Sequence, residues 1–437
     1  MQRRKFVAAT AALATASSAA PAGKPAIDGG TPVRSTPLRA GYWGSQFYDE
    51  KERAELLDVL ESKSPFRWYG PSKPTKVLQF EKELALRMQT KFALGVSSGT
   101  AALQCAMAAL EIGPGDEVIL PAWTWHSCFN AVILAGGLPV CAEIDDSFNI
   151  DPAAIERHIT AQTKLIMAVH LQGNPCQMSR ILAIARKHNL RVLEDCAQSV
   201  GASYQGRPVG SLGDIGIYSL QLNKTITAGE GGAVVTNDPV LFERASRFHD
   251  LGGFRAPHQE VAGGARLDWF FGANFRMSEF TGGVLLAQLR KLDRIAGAVR
   301  ANARLVHEGI RDLPNLKFRL LPDPEGELGA GVFLDFGTKA RCDRFLAAMK
   351  AENVTASKPG GSVILPTLPH IMAKKMPHAN WPSFQTEHGK AIRYGPDTCP
   401  NTIDILQRYG GVLMDPKFTR QDITDIVAAI RKVYPAV

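Results

Sequence analysis

The 437-residue chain is 45% hydrophobic and 21% charged, with 40 glycines and 27 prolines spread along it. This fits a folded protein of two or three domains and excludes a long disordered tract or a solenoid. Its formal net charge of +8 comes without a dense Lys/Arg stripe interleaved with aromatics, so nucleic-acid binding is unsupported and a weakly basic site for anionic small molecules stays open. Seven cysteines (Cys105, Cys128, Cys141, Cys176, Cys196, Cys342 and Cys399) at irregular spacing and with no CxxC pair argue against a zinc site or a disulfide framework; several lie in apolar segments and read as buried thiols.

Residues 1–22 join Arg3, Arg4 and Lys5 to a small-residue apolar run that ends in Ala20-Pro21-Ala22, the A-x-A form of a signal-peptidase site. The paired arginines followed by Phe6 and Val7 resemble a twin-arginine export signal, whose removal would leave Gly23 first; the alternative is an uncleaved tail. Export to the periplasm by that route suits a thiol-rich protein that folds in the reducing cytoplasm before transport, and a cytoplasmic location is the other reading. The run is too short and too rich in Ala, Ser and Thr to span a bilayer, and no other stretch is long enough.

An arm and helix occupy 23–60, Gly- and Pro-rich at first, with the helix near 49–61. A helix over 76–90 places Val77, Phe80, Leu84 and Met88 on one face. Strands are then predicted at 92–96, 117–122, 138–145, 164–170, 190–195, 214–221 and 231–238, with helices at 100–110, 126–135 and 177–189 between them. This alternation predicts a mostly parallel sheet covered on both faces over 61–290. The short connection between the last two strands leaves room for one of them to be antiparallel. A long helix near 278–310 is expected to leave this domain. Residues 291–437 read as a smaller α+β domain, with a strand at 331–337, helices near 340–352 and 420–433, and a Pro-, Gly- and His-rich loop region over 355–400.

In an open α/β sheet, ligands bind at the carboxyl ends of the strands, and four stretches fall there. In "SSGT", residues 97–100, Ser98, Gly99 and Thr100 stand between a strand and a helix N-terminus, where backbone N–H groups and the helix dipole suit a phosphate; a plain tight turn is the alternative. Trp125 follows another strand end, as the flat face a planar cofactor needs or as core packing. Asp195 closes an apolar strand, either holding a pyridinium nitrogen or serving as a cap or ion-pair partner. Lys224 follows the strand that carries Ser219 and precedes "GEGG"; a partly desolvated lysine there can form a Schiff base with a carbonyl cofactor. Phosphate cradle, stacking aromatic, carboxylate and lysine, in that chain order, are the parts of a pyridoxal-phosphate site.

The stretches "AIDGGTPVR", "SSGTAAL", "GDEVILPAWTW", "VHLQG", "LEDCAQSVGASYQGRPVGSLGDIGIYSLQLNK", "GEGGAVVTND" and "GANFRMSEF" resemble the sugar aminotransferases of the DegT/StrS family from about residue 27 to the C-terminus. The phrase "YSLQLNK" is similar to the branch that acts on keto-cyclitols and related keto-sugars. The resemblance implies an α/β, fold-type I transferase whose large domain holds a mostly parallel seven-stranded sheet covered by helices, with a smaller C-terminal α+β domain. It further implies pyridoxal 5'-phosphate as cofactor, and a reaction that moves an amino group from an amino acid, glutamate or glutamine, to a keto-sugar or keto-cyclitol. Carried over residue by residue, Lys224 forms the internal aldimine and moves the proton, and Asp195 pairs with the pyridine nitrogen. Gln198 lies near the phenolic oxygen and Trp125 stacks on the ring. Gly99, Thr100 and Ser219, with Ser98, hold the phosphate, and Asn274 reaches the phosphate of the second subunit in a homodimer.

Other candidates have bland readings beside them. His170 is expected as a strand-end core histidine, and Arg276 as an anion ligand or a salt-bridge partner. Tyr69, His126 and the loop 252–268 are candidates for the substrate pocket, and the ten histidines show no metal spacing such as HExxH. A sugar dehydratase is an alternative that Lys224 argues against, because relatives of that kind replace the lysine by histidine. A non-catalytic ligand-sensing relative is the alternative from another class.

Overall fold

The computed structural model describes residues 23–437, so the expected export signal lies outside the described residues. Seven short apolar runs form the central sheet: β1 (Phe92–Val96), β2 (Glu117–Pro121), β3 (Leu138–Ala142), β4 (Thr163–Val169), β5 (Arg191–Asp195), β6 (Ile215–Ser219) and β7 (Gly232–Thr236). Their order across the sheet is β1-β7-β6-β5-β4-β2-β3. Strands β6, β5, β4, β2 and β3 run parallel, and β7 is antiparallel to both β6 and β1. The short β6–β7 connection forces that reversal, because a parallel neighbour would need a crossover of a dozen residues or more.

Strands covered on both faces need apolar side chains at every position, which is why these runs do not alternate. In β1, Leu94 and Val96 enter one layer with Leu103 of α1 (Gly99–Ala109) and Phe242, while Ala93 faces Phe80 and Leu286 in the other. The helix Pro239–His249, which carries Phe242, has no counterpart in the sequence reading. Nor has Pro152–His158, although Asp238 and Asp151 cap them directly before a proline at the first helical position.

The helix expected over 278–310 is two helices, Glu279–Leu289 and Leu292–Ile310, broken at Arg290–Lys291. The first is buried nearly all round by the sheet layer. The second is apolar on one face only and covers a separate core, so the chain bends where the covering layer changes. At the break Lys291 turns inward, donating to Phe47 O at 2.7 Å and to Glu52 Oε2 at 2.6 Å. The separate core is built on an antiparallel pair, β8 (Gly331–Asp335) and β9 (Tyr409–Leu413), against Val306, Phe345, Ile426 and Ile430. Strand β9 is hidden in the sequence by its glycines, which the packing requires: a Cβ on Gly411 would lie 2.2 Å from Val332 O.

Residues 355–400 are not loop throughout. Val363–Ile364 pair with Trp123–Thr124, short helices follow at Pro369–Met372 and Glu387–Ala391, and Trp381 Nε1 donates to Ile133 O at 2.7 Å. This segment therefore braces the strand extension that leads into Trp125.

Candidate active site

A cleft of about 920 Å³ opens at the carboxyl ends of β2, β4, β5 and β6. Ser98, Gly99, Thr100, Trp125, Asp195, Gln198, Ser219 and Lys224 all line it, so eight of the nine residues singled out from the sequence meet in one place. Asn274, the ninth, is exposed, pairs with Asp250 in an isolated bridge, and does not line the cleft of its own chain.

The phosphate-sized end of the cleft is made by close backbone approach. Ser98 caps α1, its Oγ accepting from Ala101 N at 3.1 Å. A Cβ on Gly99 would sit 2.6 Å from Ser219 Cβ, and one on Gly232 would sit 2.3 Å from Ser98 O. Glycine at both positions lets the start of α1, the end of β6 and the start of β7 converge, with helix N–H groups directed into the space. The Thr100 and Ser127 hydroxyls meet at 2.7 Å beside it.

Successive residues of β5 point to opposite sides. Glu194 turns away from the cleft and is fully buried, with Oε2 accepting from Gly210 N at 2.9 Å and Oε1 from Leu212 N and Gly213 N at 2.7 Å each. His170 Nδ1 accepts from Cys176 N at 3.0 Å, so its Nε2 carries the proton that it donates to Glu194 Oε2 at 3.0 Å. Burial alone would raise the Glu194 pKa; the His170 and backbone donors hold it below the ordinary carboxylate value. His170 is thus a satisfied core histidine. His170, Glu194 and Cys196 bring potential metal-ligating atoms within 4.8 Å of one another, but the polar atoms of the first two are already used in these bonds.

Asp195 turns into the cleft and is only 3% exposed. Its Oδ1 accepts from Ala197 N at 2.9 Å and its Oδ2 from the Cys128 thiol at 3.1 Å, while Cys128 Sγ lies 3.3 Å from Thr124 Oγ1. Burial raises the Asp195 pKa, against the Ala197 and Cys128 donors and the charge of Lys224. Cys128 was legible only as a buried thiol; its bond to Asp195 had no signal in the sequence. Cys128→Ala should remove the donor, raise the Asp195 pKa further and slow the reaction about 10-fold at pH 7, with Cys128→Ser close to wild type. A pH profile of the Ala variant that overlays the wild type would refute this.

Lys224 is half-buried, and its amino group has no hydrogen bond or ion pair among the described residues. Burial lowers its pKa, opposed by Asp195, Cys128 and Glu230, which enlarges the neutral, nucleophilic fraction. Trp125 is 52% exposed at the cleft and so is not the core aromatic of the alternative reading. The Gln198 amide is engaged on the wall: Oε1 accepts from Gln172 N at 3.2 Å and Nε2 donates to Ser362 Oγ at 2.9 Å. Among the weaker candidates, Arg276 is ion-paired with Asp250, Tyr69 is exposed beside Phe66, and His126 stacks on His370. The loop 252–268 contains the helix Ala256–Ala262 and stays clear of this chain's cleft.

Solved structures share this fold. The chain superposes on 3-amino-5-hydroxybenzoic acid synthase with a TM-score of 0.75, at 26% identity, over 92% of this chain and 100% of that one. It superposes on an aminotransferase from Psychrobacter cryohalolentis with a TM-score of 0.72, at 29% identity, over 89% and 98%. The fold and the site thus define a fold-type I transaminase. More closely, residues 47–431 match the model of the DegT/DnrJ/EryC1/StrS aminotransferase family, and the chain belongs to that family. The chain is 39% identical to GDP-perosamine synthase of Escherichia coli O157:H7 over 266 residues, 60% of this chain and 69% of that protein. It is 37% identical to L-glutamine:2-deoxy-scyllo-inosose aminotransferase of Micromonospora echinospora over 297 residues, 65% and 68%.

Proposed function

We propose that this aminotransferase uses pyridoxal phosphate to move an amino group from glutamate or glutamine to a ketone on a sugar or cyclitol. The observation that carries the reading is the unpartnered amine of Lys224 in one cleft with the buried carboxylate of Asp195 and a glycine-built anion cradle. Pyridoxal phosphate, when bound, supplies a conjugated electron sink for the carbon that loses or gains the amine. The residues present fit it. The N–H groups around Gly99 and Thr100 and the hydroxyls of Ser98 and Ser219 would hold its phosphate, the indole of Trp125 would cover a ring face, and Asp195 would pair with the ring nitrogen. Gln198 would lie near the phenolic oxygen. The Lys224 amine would bind the cofactor's carbonyl group and serve as the proton carrier. Asn274, exposed and outside its own cleft, reaches the phosphate of a second subunit in a homodimer.

The relatives named for glutamine and a keto-cyclitol, and for perosamine, support the donor and acceptor classes. Among the described residues no helix is long and apolar enough to cross a membrane. Export through residues 1–22 favours a free sugar or cyclitol over a nucleotide-linked one, and finding the mature form only in the cytosol would discard export. A half-reaction screen tests the function: glutamate or glutamine is expected to bleach the visible absorption of the lysine-bound cofactor, and a keto-cyclitol or keto-sugar to restore it. Absence of bleaching by any amine would refute it, and ketone release without amine transfer would favour the dehydratase.

A further inference from the structure

Among the described residues lining the cleft, one cation besides Lys224 is present: Arg39, from the N-terminal arm. Its side chain is exposed and makes no hydrogen bond, ion pair or ring stacking with any described residue. The arm's preceding arginine behaves oppositely, since Arg34 is neutralised by Asp422 at 3.0 Å and by Asp425.

The backbone on both sides of Arg39 is fixed. Leu38 N donates to Asn353 O at 2.8 Å, and Leu38 O accepts from Thr355 N at 2.9 Å. Two residues beyond Arg39, Gly41 N donates to Asp415 Oδ2 at 2.7 Å, and Trp43 Nε1 donates to Met414 O at 3.0 Å. Asp415 is itself buried and also accepts from Gln46 Nε2 at 3.0 Å. An unpaired guanidinium is therefore carried on a stem docked to the smaller core and placed at the mouth of the cleft. The fixed stem leaves only the side-chain rotamers of Arg39 to be ordered when it engages a ligand.

We propose that Arg39 binds a carboxylate of the amino-acid donor, which deepens the transaminase reading above and rests on it. A guanidinium presents two parallel N–H donors that match a carboxylate, and the contact strengthens as water leaves the cleft. The cofactor phosphate does not need Arg39, because its cradle is built from Gly99, Gly232 and Ser219. Every amino-acid donor brings a carboxylate into the cleft, whereas a free keto-cyclitol brings no charge.

The test uses the cofactor-loaded full chain with Arg39→Gln and Arg39→Lys, substitutions at an exposed position. The glutamate or glutamine concentration for half-bleaching should rise about 10- to 100-fold in Arg39→Gln and less in Arg39→Lys, with the visible absorption before donor addition unchanged. Calorimetric binding of glutarate, a dicarboxylate that cannot donate an amine, should weaken by a similar factor. The amine-form enzyme should react with a neutral keto-cyclitol as the wild type does. Unchanged half-bleaching and glutarate affinity would overturn the proposal. So would a loss confined to nucleotide-linked ketones, which would assign Arg39 to an acceptor phosphate. Failure of the wild type to bleach with any amine would sink the transaminase reading instead, so the two failures are distinguishable.

Discussion

Lys224→Ala is expected to abolish covalent capture of pyridoxal phosphate and to lower transamination by about 10³-fold or more, since both the carbonyl anchor and the proton carrier are lost. No other described lysine lines the cleft to replace it. The decisive measurement is borohydride reduction followed by peptide mass mapping. Wild type should carry the added mass on the peptide containing Lys224, and the Ala variant on no peptide. A labelled peptide elsewhere, or retained turnover, would refute the assignment. The same variant tests the shared site. If Asn274 serves the partner's cleft, mixing inactive Lys224→Ala and Asn274→Ala proteins should restore about a quarter of the wild-type sites, because half the dimers are mixed and each mixed dimer has one intact site. No recovery after subunit exchange would mean that Asn274 works within its own chain, and an active Asn274→Ala protein would mean that it has no role.

The legibility of this site follows from where the information sits along the chain. Asp195 and Lys224 are legible because Asp195 ends one apolar parallel strand and Lys224 follows the end of its neighbour, where chain order alone fixes which edge a residue reaches. Ser98, Gly99 and Thr100 were legible because a strand-to-helix turn of small residues is a local pattern. Cys128 and Arg39 depend on distant partners. The Cys128 thiol finds Asp195 67 residues away, and the placement of Arg39 depends on the bond between Gly41 and Asp415, 374 residues apart. The break at Arg290–Lys291 is hidden for a related reason: no Gly or Pro marks it, and only the change of covering core bends the chain there. The strand Tyr409–Leu413 has no expectation in the sequence because two glycines interrupt its apolar run, and only the neighbouring Val332 carbonyl shows that no larger residue fits.

Asp195→Asn separates function from stability. With pyridoxal phosphate bound, a carboxylate beside the ring nitrogen keeps that nitrogen protonated; an amide does not, so transamination should fall about 10²- to 10⁴-fold while Lys224 still captures the cofactor. The cofactor-free protein should respond in the opposite sense. Asp195 is buried, its pKa is raised above the ordinary value, and two donors only partly offset the burial. A carboxyl with a raised folded-state pKa binds its proton more tightly in the folded chain. Its contribution to stability is therefore complete below the unfolded pKa and is lost as pH rises through the folded one. At pH 7 the ionised Asp195 is thus a cost to the empty protein. The neutral amide of the Asp195→Asn variant avoids that cost, its oxygen accepting from Ala197 N and its NH2 donating to the Cys128 sulfur, whose hydrogen turns away. The thermal midpoint of cofactor-free Asp195→Asn should equal or exceed that of the wild type at pH 7, with the difference shrinking toward pH 4. A variant clearly less stable than the wild type at pH 7 would show that Asp195 is held for structure, and the case for its pairing with the cofactor would fall with it.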